Sequence, residues 1–178
     1  MVRPGRIKDM EKRNIVLIGM PGVGKSTVGV VLAKSIGYGF LDSDLRIQEA
    51  YGKLLHELIA ERGLSGFLAI ENQVNAAIVE ERYVIATGGS AVFGKEAMQH
   101  LAQTGIIIYL SASYASIAER LGDLRERGVV LEKNQTLAEL YEQRKPLYEW
   151  YADHTIHCDS KSIRDIVGEI KAKVHGLM

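Results

Sequence analysis

The chain has 178 residues, a length typical of a single domain with one hydrophobic core. Hydrophobic residues make up 47% of it, which excludes a disordered chain. The 22 basic residues balance the 22 acidic ones, so net charge gives no reason to expect nucleic acid or an acidic membrane as a partner. The single cysteine, Cys158, excludes an internal disulfide framework and a cysteine-based zinc site, and it fits a reducing compartment. Because no apolar run has the length of a membrane span or of a signal peptide, we expect a cytoplasmic protein.

Residues 1–13 are polar and include five basic side chains. This composition predicts a disordered or frayed arm, and the alternative is a basic arm that touches a partner. We expect residues 14–178 to form one domain.

The first motif follows Asn14–Ile18, a short apolar run rich in β-branched residues that predicts a buried parallel strand. Residues 19–26 (GMPGVGKS) match the phosphate-binding loop pattern G-x-x-x-x-G-K-S/T at every fixed position. An apolar stretch of helical length comes next and stops at Gly37. The strand, loop and helix therefore occur in the order that this motif requires.

The chemistry of phosphate binding explains these residue types. Glycines let backbone N–H groups turn towards phosphate oxygens, and a helix N-terminus adds positive partial charge. We expect Lys25 to reach the β- and γ-phosphates and the Ser26 hydroxyl to ligate Mg²⁺. The alternative is a glycine-rich turn that binds nothing. The predicted nucleotide site comprises Gly22, Val23, Gly24, Lys25, Ser26 and Thr27.

Two aspartates follow a second predicted strand, residues 38–41. In open α/β sheets, ligands bind at the carboxyl ends of the strands. Asp42 and Asp44 are two residues apart, and in an extended segment this spacing directs both side chains the same way. They could hold Mg²⁺ through water and accept a proton from a substrate hydroxyl. The alternative is a helix N-cap without further function.

The middle of the chain continues the alternation. A helix is predicted over residues 45–62, interrupted at Gly52 and ended by Gly63, and a second over residues 67–81. A third strand, residues 83–87, leads directly into Gly88 and Gly89, where a ligand could approach the backbone closely. An ordinary turn is the alternative for this glycine pair.

The remaining elements complete the pattern. We predict a helix over 95–103, a buried strand over 106–110, and a helix capped near Ser113 that carries Arg120. The charged segment 122–135 suggests a mobile lid. A helix capped by Thr136 should run to Arg144 with a kink or stop at Pro146, followed by a strand over 154–158 and a helix over 162–174. Repeated βα units predict an α/β fold with a five-stranded parallel sheet and helices on both faces.

Laid out in this way, the chain resembles the shikimate kinases, a branch of the P-loop fold that also contains the nucleoside-monophosphate kinases. The resemblance covers about residues 14–174. It is carried, in this order, by residues 19–29 (GMPGVGKSTVG), 40–44 (FLDSD), 86–89 (ATGG) and 144–148 (RKPLY), with Ala152 and Asp153 after them.

The resemblance implies a role for each matching residue. Asp42 would order Mg²⁺ through water, and Asp44 would bind the acceptor hydroxyl and take its proton. The backbone of Gly88 and Gly89 would pack against the substrate ring, and Arg144 would grip the substrate carboxylate. Arg120 would stack on adenine and Arg127 would close over the transferred phosphate, making Lys25, Asp44 and Arg127 the catalytic set. For both Arg120 and Arg127 the alternative is a solvated surface residue.

Three departures from the family pattern fall in the acceptor half and the lid. The arginine that pairs with the substrate carboxylate in the family is here Leu68, which cannot donate a hydrogen bond. The third glycine of the family's Gly-Gly-Gly is Ser90, and the lid sequence at 127–130 (RGVV) keeps the arginine and loses the proline. The resemblance therefore implies an active kinase whose acceptor site is altered.

We expect an ATP- and Mg²⁺-dependent kinase that phosphorylates a hydroxyl of a small hydroxylated carboxylate, shikimate first of all. A kinase for another polyol or hydroxy acid is the alternative that Leu68 and Ser90 favour. A nucleotide-binding regulatory protein without turnover is a second alternative, against which Asp42 and Asp44 argue. We expect a monomer that uses no nucleic acid or membrane partner.

Overall fold

A computed structural model describes residues 14–121 and 135–175. The described ranges contain a sheet of five strands: β1 (Asn14–Ile18), β2 (Gly39–Asp42), β3 (Tyr83–Ala86), β4 (Gly105–Ser111) and β5 (His154–His157). They also contain seven α-helices: α1 (Lys25–Ile36), α2 (Ser43–Tyr51), α3 (Leu55–Ala76), α4 (Lys95–Thr104), α5 (Tyr114–Leu121), α6 (Leu137–Tyr151) and α7 (Ile163–Val174).

All strand pairs in the sheet are parallel, in the order β2-β3-β1-β4-β5. The central strand β1 pairs with β3 and β4, so that Ile15 lies opposite both Val84 and Ile106. Every residue of β1 is buried, and so are Ile106 to Leu110 of β4. Consecutive buried residues in a strand mean that both faces of the sheet are covered. The five-stranded parallel sheet with helices on both faces is therefore confirmed.

The helices cover the sheet in pairs, with α1 packed against α7 and α3 packed against α4. Their ends follow local chemistry. Gly37 and Gly52 end α1 and α2 in the left-handed conformation, with φ of 71° and 62°. The Thr136 hydroxyl accepts from the Glu139 amide, which confirms the predicted capping box of α6.

In the described ranges, no helix combines the length and the apolar character that a membrane crossing requires.

Three sequence predictions need correction. Asp44 does not lie on an extended segment, because β2 ends at Asp42 and α2 begins at Ser43. The helix that contains Phe67 ends at Ala76 rather than near residue 81, although Gly63 breaks it as expected with φ 68° and ψ 176°. Pro146 does not stop α6, which continues to Tyr151. A proline inside a helix removes one backbone donor, and the buried Tyr148 side chain packs the segment beyond it into the core.

Candidate active site

A cavity of about 350 Å³ opens at the carboxyl ends of β1, β2 and β3. Its walls come from the phosphate-binding loop, the start of α2, the middle of α3, the loop after β3 and the interior of α6. This is where a parallel α/β sheet presents ligands to its loops. The residues that line it include Gly22, Gly24, Lys25, Ser26, Thr27, Asp44, Glu71, Gly88, Gly89, Ser90 and Arg144.

The phosphate-binding loop has the backbone that its glycines predict. Gly22 and Gly24 have φ of 78° and 104°, in the region that favours glycine. Gly24 immediately precedes α1, so the N–H groups of the first helical turn face the cavity side of the loop. A Cβ at Gly22 would lie 3.0 Å from a methyl of Leu121, which shows that α5 packs directly on the loop.

Lys25 is buried within this loop. Its ammonium group donates to the carbonyl oxygens of Gly19 and Met20 at 2.8 and 3.0 Å. Burial lowers the pKa of Lys25 to about 8, while the nearby Asp44 carboxylate opposes the shift. The ammonium group is thus held inside the phosphate-binding loop, at the cavity.

The side chains of Ser26, in α1, and Asp42, at the end of β2, are hydrogen-bonded to each other. The Ser26 hydroxyl donates to Asp42 Oδ2 at 2.6 Å, and Asp42 Oδ1 accepts from the Asp44 amide at 3.0 Å. Asp42 is therefore the N-cap of α2 and at the same time faces the phosphate-binding loop. The two interpretations of Asp42, cap and functional residue, are compatible because each uses a different carboxylate oxygen.

Asp44 extends from the first turn of α2 into the cavity. Burial and the adjacent Asp42 carboxylate raise its pKa to about 6, and Lys25 opposes this shift. A carboxylate with this pKa is ionised at neutral pH and is a stronger base than an exposed aspartate.

The glycine pair after β3 allows several side chains to approach the backbone. A Cβ at Gly88 would lie 2.7 Å from Asp44 Oδ1 and would collide with Glu71 Oε1. A Cβ at Gly89 would lie 2.7 Å from the Pro21 ring and 3.0 Å from Arg144 Nη1. The buried Tyr148 hydroxyl donates to the Gly89 carbonyl at 2.6 Å and fixes this turn. A Cβ at either position would therefore force neighbouring side chains to shift.

Arg144 also lines the cavity, from α6, and is only 1% exposed. Its guanidinium carbon is 5.6 Å from the centre of the Phe93 ring. Leu68 is half-buried and packs in a small apolar cluster with Ile47, Leu58, Phe67 and Ile70. Leu68 is not among the described residues that line the cavity, so its side chain packs to support α3. Arg144 does line the cavity and supplies a guanidinium group there.

Arg120 is exposed at the end of α5, and its Nη1 is 3.4 Å from the Val23 carbonyl oxygen. It therefore lies beside the phosphate-binding loop. Arg127 and residues 122–134 of the predicted lid lie outside the described residues, as does the N-terminal arm.

Glu71 is the site residue that sequence reasoning missed. It is 1% exposed on α3, and burial raises the pKa of its carboxyl to about 7, with Ser90 as a hydrogen-bond donor that opposes the shift. The sequence contained an indication. Phe67, Ile70, Glu71 and Val74 have the i, i+3, i+4, i+7 spacing of one helix face, so an acidic residue stands on an otherwise apolar face.

Comparisons with known proteins identify the family of this chain. The family model described as shikimate kinase matches residues 21–175. A shikimate kinase from Methylococcus capsulatus is 38% identical over 162 residues, covering 89% of this chain and 90% of the relative. One from Actinobacillus succinogenes is 37% identical over 164 residues, covering 90% and 94%.

A solved structure of shikimate kinase from Acinetobacter baumannii in complex with shikimate has a similar fold. It superposes with a TM-score of 0.85 at 32% identity and covers 94% of this chain and 96% of that one. The sequence match, the sheet order and the cavity at the phosphate-binding loop lead to the same conclusion: this chain belongs to the shikimate kinase family of small-molecule kinases.

Proposed function

We propose that this protein transfers the γ-phosphoryl group of ATP to a hydroxyl of shikimate, giving shikimate 3-phosphate. The observation that carries the proposal is the placement of Asp44, Lys25 and Arg144 in the lining of one cavity. A phosphoryl donor and a hydroxylated carboxylate could bind there side by side. The family membership and the shikimate bound to the Acinetobacter baumannii relative support this choice of acceptor.

The donor half of the site fits ATP with Mg²⁺. The backbone of Gly22 to Thr27 would surround the phosphates, and Lys25 would contact the β- and γ-phosphate oxygens. Ser26 and Asp42 present hydroxyl and carboxylate oxygens, the ligand type that Mg²⁺ prefers, with Asp42 acting through water. When bound, Mg²⁺ would neutralise charge on the phosphate oxygens. Arg120 would contact the adenine, and Arg127 would approach the transferred group.

The acceptor half would position one hydroxyl in line with the phosphoryl group. Asp44 would hold this hydroxyl and receive its proton as the new bond to phosphorus forms. Gly88 and Gly89 would let the substrate ring lie against the backbone, and Arg144 would bind the substrate carboxylate. A raised pKa suits Asp44 to this role, since it improves proton acceptance while leaving the group ionised at pH 7.

One observation favours a second candidate, a kinase for another polyol or hydroxy acid. Leu68 packs into an apolar cluster, so a second guanidinium is missing from its family position. The loss of one charged hydrogen-bonding partner typically costs about 2–5 kcal/mol of binding. A substrate whose binding depends less on a carboxylate group would then compete with shikimate.

The test is a coupled assay of ADP release with shikimate and a panel of small hydroxylated acids and polyols. We expect shikimate-dependent ADP release at least about tenfold above the ATPase background, and phosphorus NMR should detect a phosphate monoester. ADP release with a different acceptor, and not with shikimate, would establish the second candidate. ATP binding without turnover on any acceptor would favour a regulatory protein instead.

Asp44→Asn tests the proposed base. This change keeps the shape of the side chain and removes its ability to accept a proton, so kcat should fall at least about 100-fold. The affinity for ATP should stay within about twofold, measured by calorimetric titration. Glu49→Asn, on the exposed face of the same helix, serves as the control and should leave kcat unchanged. Near-normal turnover by Asp44→Asn would refute the assignment.

A further inference from the structure

Phe93 is a large apolar side chain that core packing does not explain. It is 37% exposed, and within the described ranges it belongs neither to the two clusters of buried apolar residues nor to the half-buried residues that pack against them. A single exposed apolar residue is common, so exposure alone says nothing about its use. What distinguishes Phe93 is its neighbour, because the guanidinium carbon of Arg144 lies over its ring, 5.6 Å from the ring centre.

The segment that carries Phe93 is fixed to α3 on both sides. Phe93 ends a short 3₁₀ turn in which its amide donates to the Ser90 carbonyl at 2.9 Å. Before this turn, the Ser90 hydroxyl donates to Glu71 Oε2 at 2.6 Å. After it, Asn72 Oδ1 accepts from the Ala97 amide at 3.0 Å. Since Glu71 and Asn72 are consecutive residues of α3, the backbone beneath the Phe93 ring is held from two adjacent points.

The ring contacts the one arginine among the described residues that line the cavity, Arg144. This arginine is also hydrogen-bonded to the side chain of Tyr148, one turn further along α6. An aromatic face attracts a guanidinium through its quadrupole and takes up no N–H group in a hydrogen bond to oxygen. The Phe93 ring can therefore orient Arg144 without competing with a carboxylate for its N–H donors.

We propose that Phe93 is a positioning residue of the acceptor site, whose ring holds the Arg144 guanidinium in the orientation that binds the carboxylate of the acceptor. Phe93 is not among the described residues that line the cavity, so it acts through Arg144 and does not touch the substrate. This inference rests on the proposed function, since Arg144 must bind that carboxylate. Leu68 makes the orientation of Arg144 more important, because it packs in an apolar cluster and offers no second guanidinium.

The size of the effect follows from the contact. Cation–π contacts change an equilibrium constant by roughly twofold to thirtyfold, with the larger values at desolvated sites. Without the ring, Arg144 would also adopt orientations that do not bind the carboxylate, and affinity falls with the fraction of molecules in the competent one. We therefore expect acceptor binding to weaken by about threefold to tenfold. Because Phe93 lies outside the cavity lining, kcat should stay within about twofold.

The experiment compares shikimate with its methyl ester as acceptors. The ester lacks the charge that Arg144 binds, so the wild-type protein should prefer shikimate by at least about tenfold in kcat/KM. Phe93→Leu keeps apolar bulk and removes the aromatic face. It should raise KM for shikimate about threefold to tenfold and leave KM for the ester within about twofold. Phe93→Tyr keeps the ring and is the matched control, with both KM values within about twofold of wild type.

A purely structural role for Phe93 would give a different pattern. A shifted turn would weaken the binding of both acceptors to a similar extent, because Gly88 and Gly89 lie just before it and line the same cavity. Equal losses with shikimate and its ester would therefore overturn the inference. Thermal melting checks the folding of each variant. Should Phe93→Leu not fold, Phe93→Met makes the same comparison.

The outcomes separate this inference from the proposed function. If the wild-type protein phosphorylates neither compound, the proposed function fails and the inference fails with it. If shikimate is phosphorylated but Phe93→Leu leaves its KM unchanged, the inference alone is overturned. The same holds if the wild-type protein accepts shikimate and its ester equally well, or if Phe93→Tyr loses as much affinity for shikimate as Phe93→Leu.

Discussion

The burial of Glu71 predicts that Glu71→Gln stabilises this protein increasingly as the pH rises. The folded protein raises the pKa of this carboxyl from 4.5 to about 7, chiefly through burial. Asp44 adds to the shift, while Ser90, Arg144 and Lys25 oppose it. Glutamine has almost the same shape and cannot ionise, and its amide oxygen can still accept from the Ser90 hydroxyl.

The sign and size follow from proton linkage. Between the unfolded pKa of 4.5 and the folded pKa of about 7, the folded protein binds more protons than the unfolded one, so stability falls as the pH rises through this window. At 1.36 kcal/mol per unit, the full shift corresponds to roughly 3 kcal/mol, all of it lost by about pH 8. About 2 kcal/mol of that loss falls between about pH 5.5 and pH 8.

Urea denaturation at pH 5.5 and pH 8 measures the effect. The free energy of unfolding of Glu71→Gln, minus that of the wild-type protein, should increase by about 2 kcal/mol between the two conditions. The contribution of Asp44, whose pKa is also raised, is present in both proteins and largely cancels in the difference. Glu49→Gln, the same substitution at an exposed position on α2, is the control. If the Glu71→Gln difference is the same at both pH values, Glu71 does not titrate as a buried carboxyl and the argument is refuted.

Three further predictions concern the cavity walls. Gly88→Ala would place a methyl group 2.7 Å from Asp44 Oδ1, so kcat/KM for the acceptor should fall at least about tenfold while ATP affinity, measured by titration, stays within about twofold. Unchanged acceptor kinetics would show that the substrate does not approach this backbone. Tyr148→Phe removes a 2.6 Å hydrogen bond to the Gly89 carbonyl from a fully buried site, and it should lower the free energy of unfolding by about 1–2 kcal/mol in urea titrations. An unaltered midpoint would mean that this bond adds nothing to stability. Finally, kcat/KM should decline below about pH 6, where protonated Asp44 can no longer accept a proton, and a profile that is flat down to pH 5 would contradict its role as the base.

The sequence was most informative where one residue type has one physical use. The glycines of the phosphate-binding loop and the β-branched run of β1 predicted a strand, a turn and a helix that the structure contains. The capping box at Thr136 and Glu139 located the start of α6 because it is a local arrangement. Local chemistry of this kind survives folding unchanged, since its partners lie within a few residues of each other.

Prediction was weaker where a side-chain contact decides the local structure. The spacing of Asp42 and Asp44 suggested an extended segment, but the Asp42 carboxylate caps α2 and turns the chain into a helix before Asp44. Pro146 suggested a kink or the end of a helix, whereas α6 continues past it to Tyr151 and the Tyr148 side chain is buried in the core. In both cases, side-chain contacts outweighed the propensity of a single residue.

The sequence by itself determined the order of the βα units, the phosphate-binding loop and the two aspartates beside it. These follow from periodicity, glycine spacing and residue type along the chain. Only the tertiary structure decided how the side chains around Gly88 and Gly89 are arranged. It brings Glu71, Ser90 and Arg144, from three separate parts of the chain, to the same glycine pair, and it turns Leu68 into an apolar cluster. The pKa of Glu71 belongs to the same category, because burial is a property of the folded environment and not of the residue.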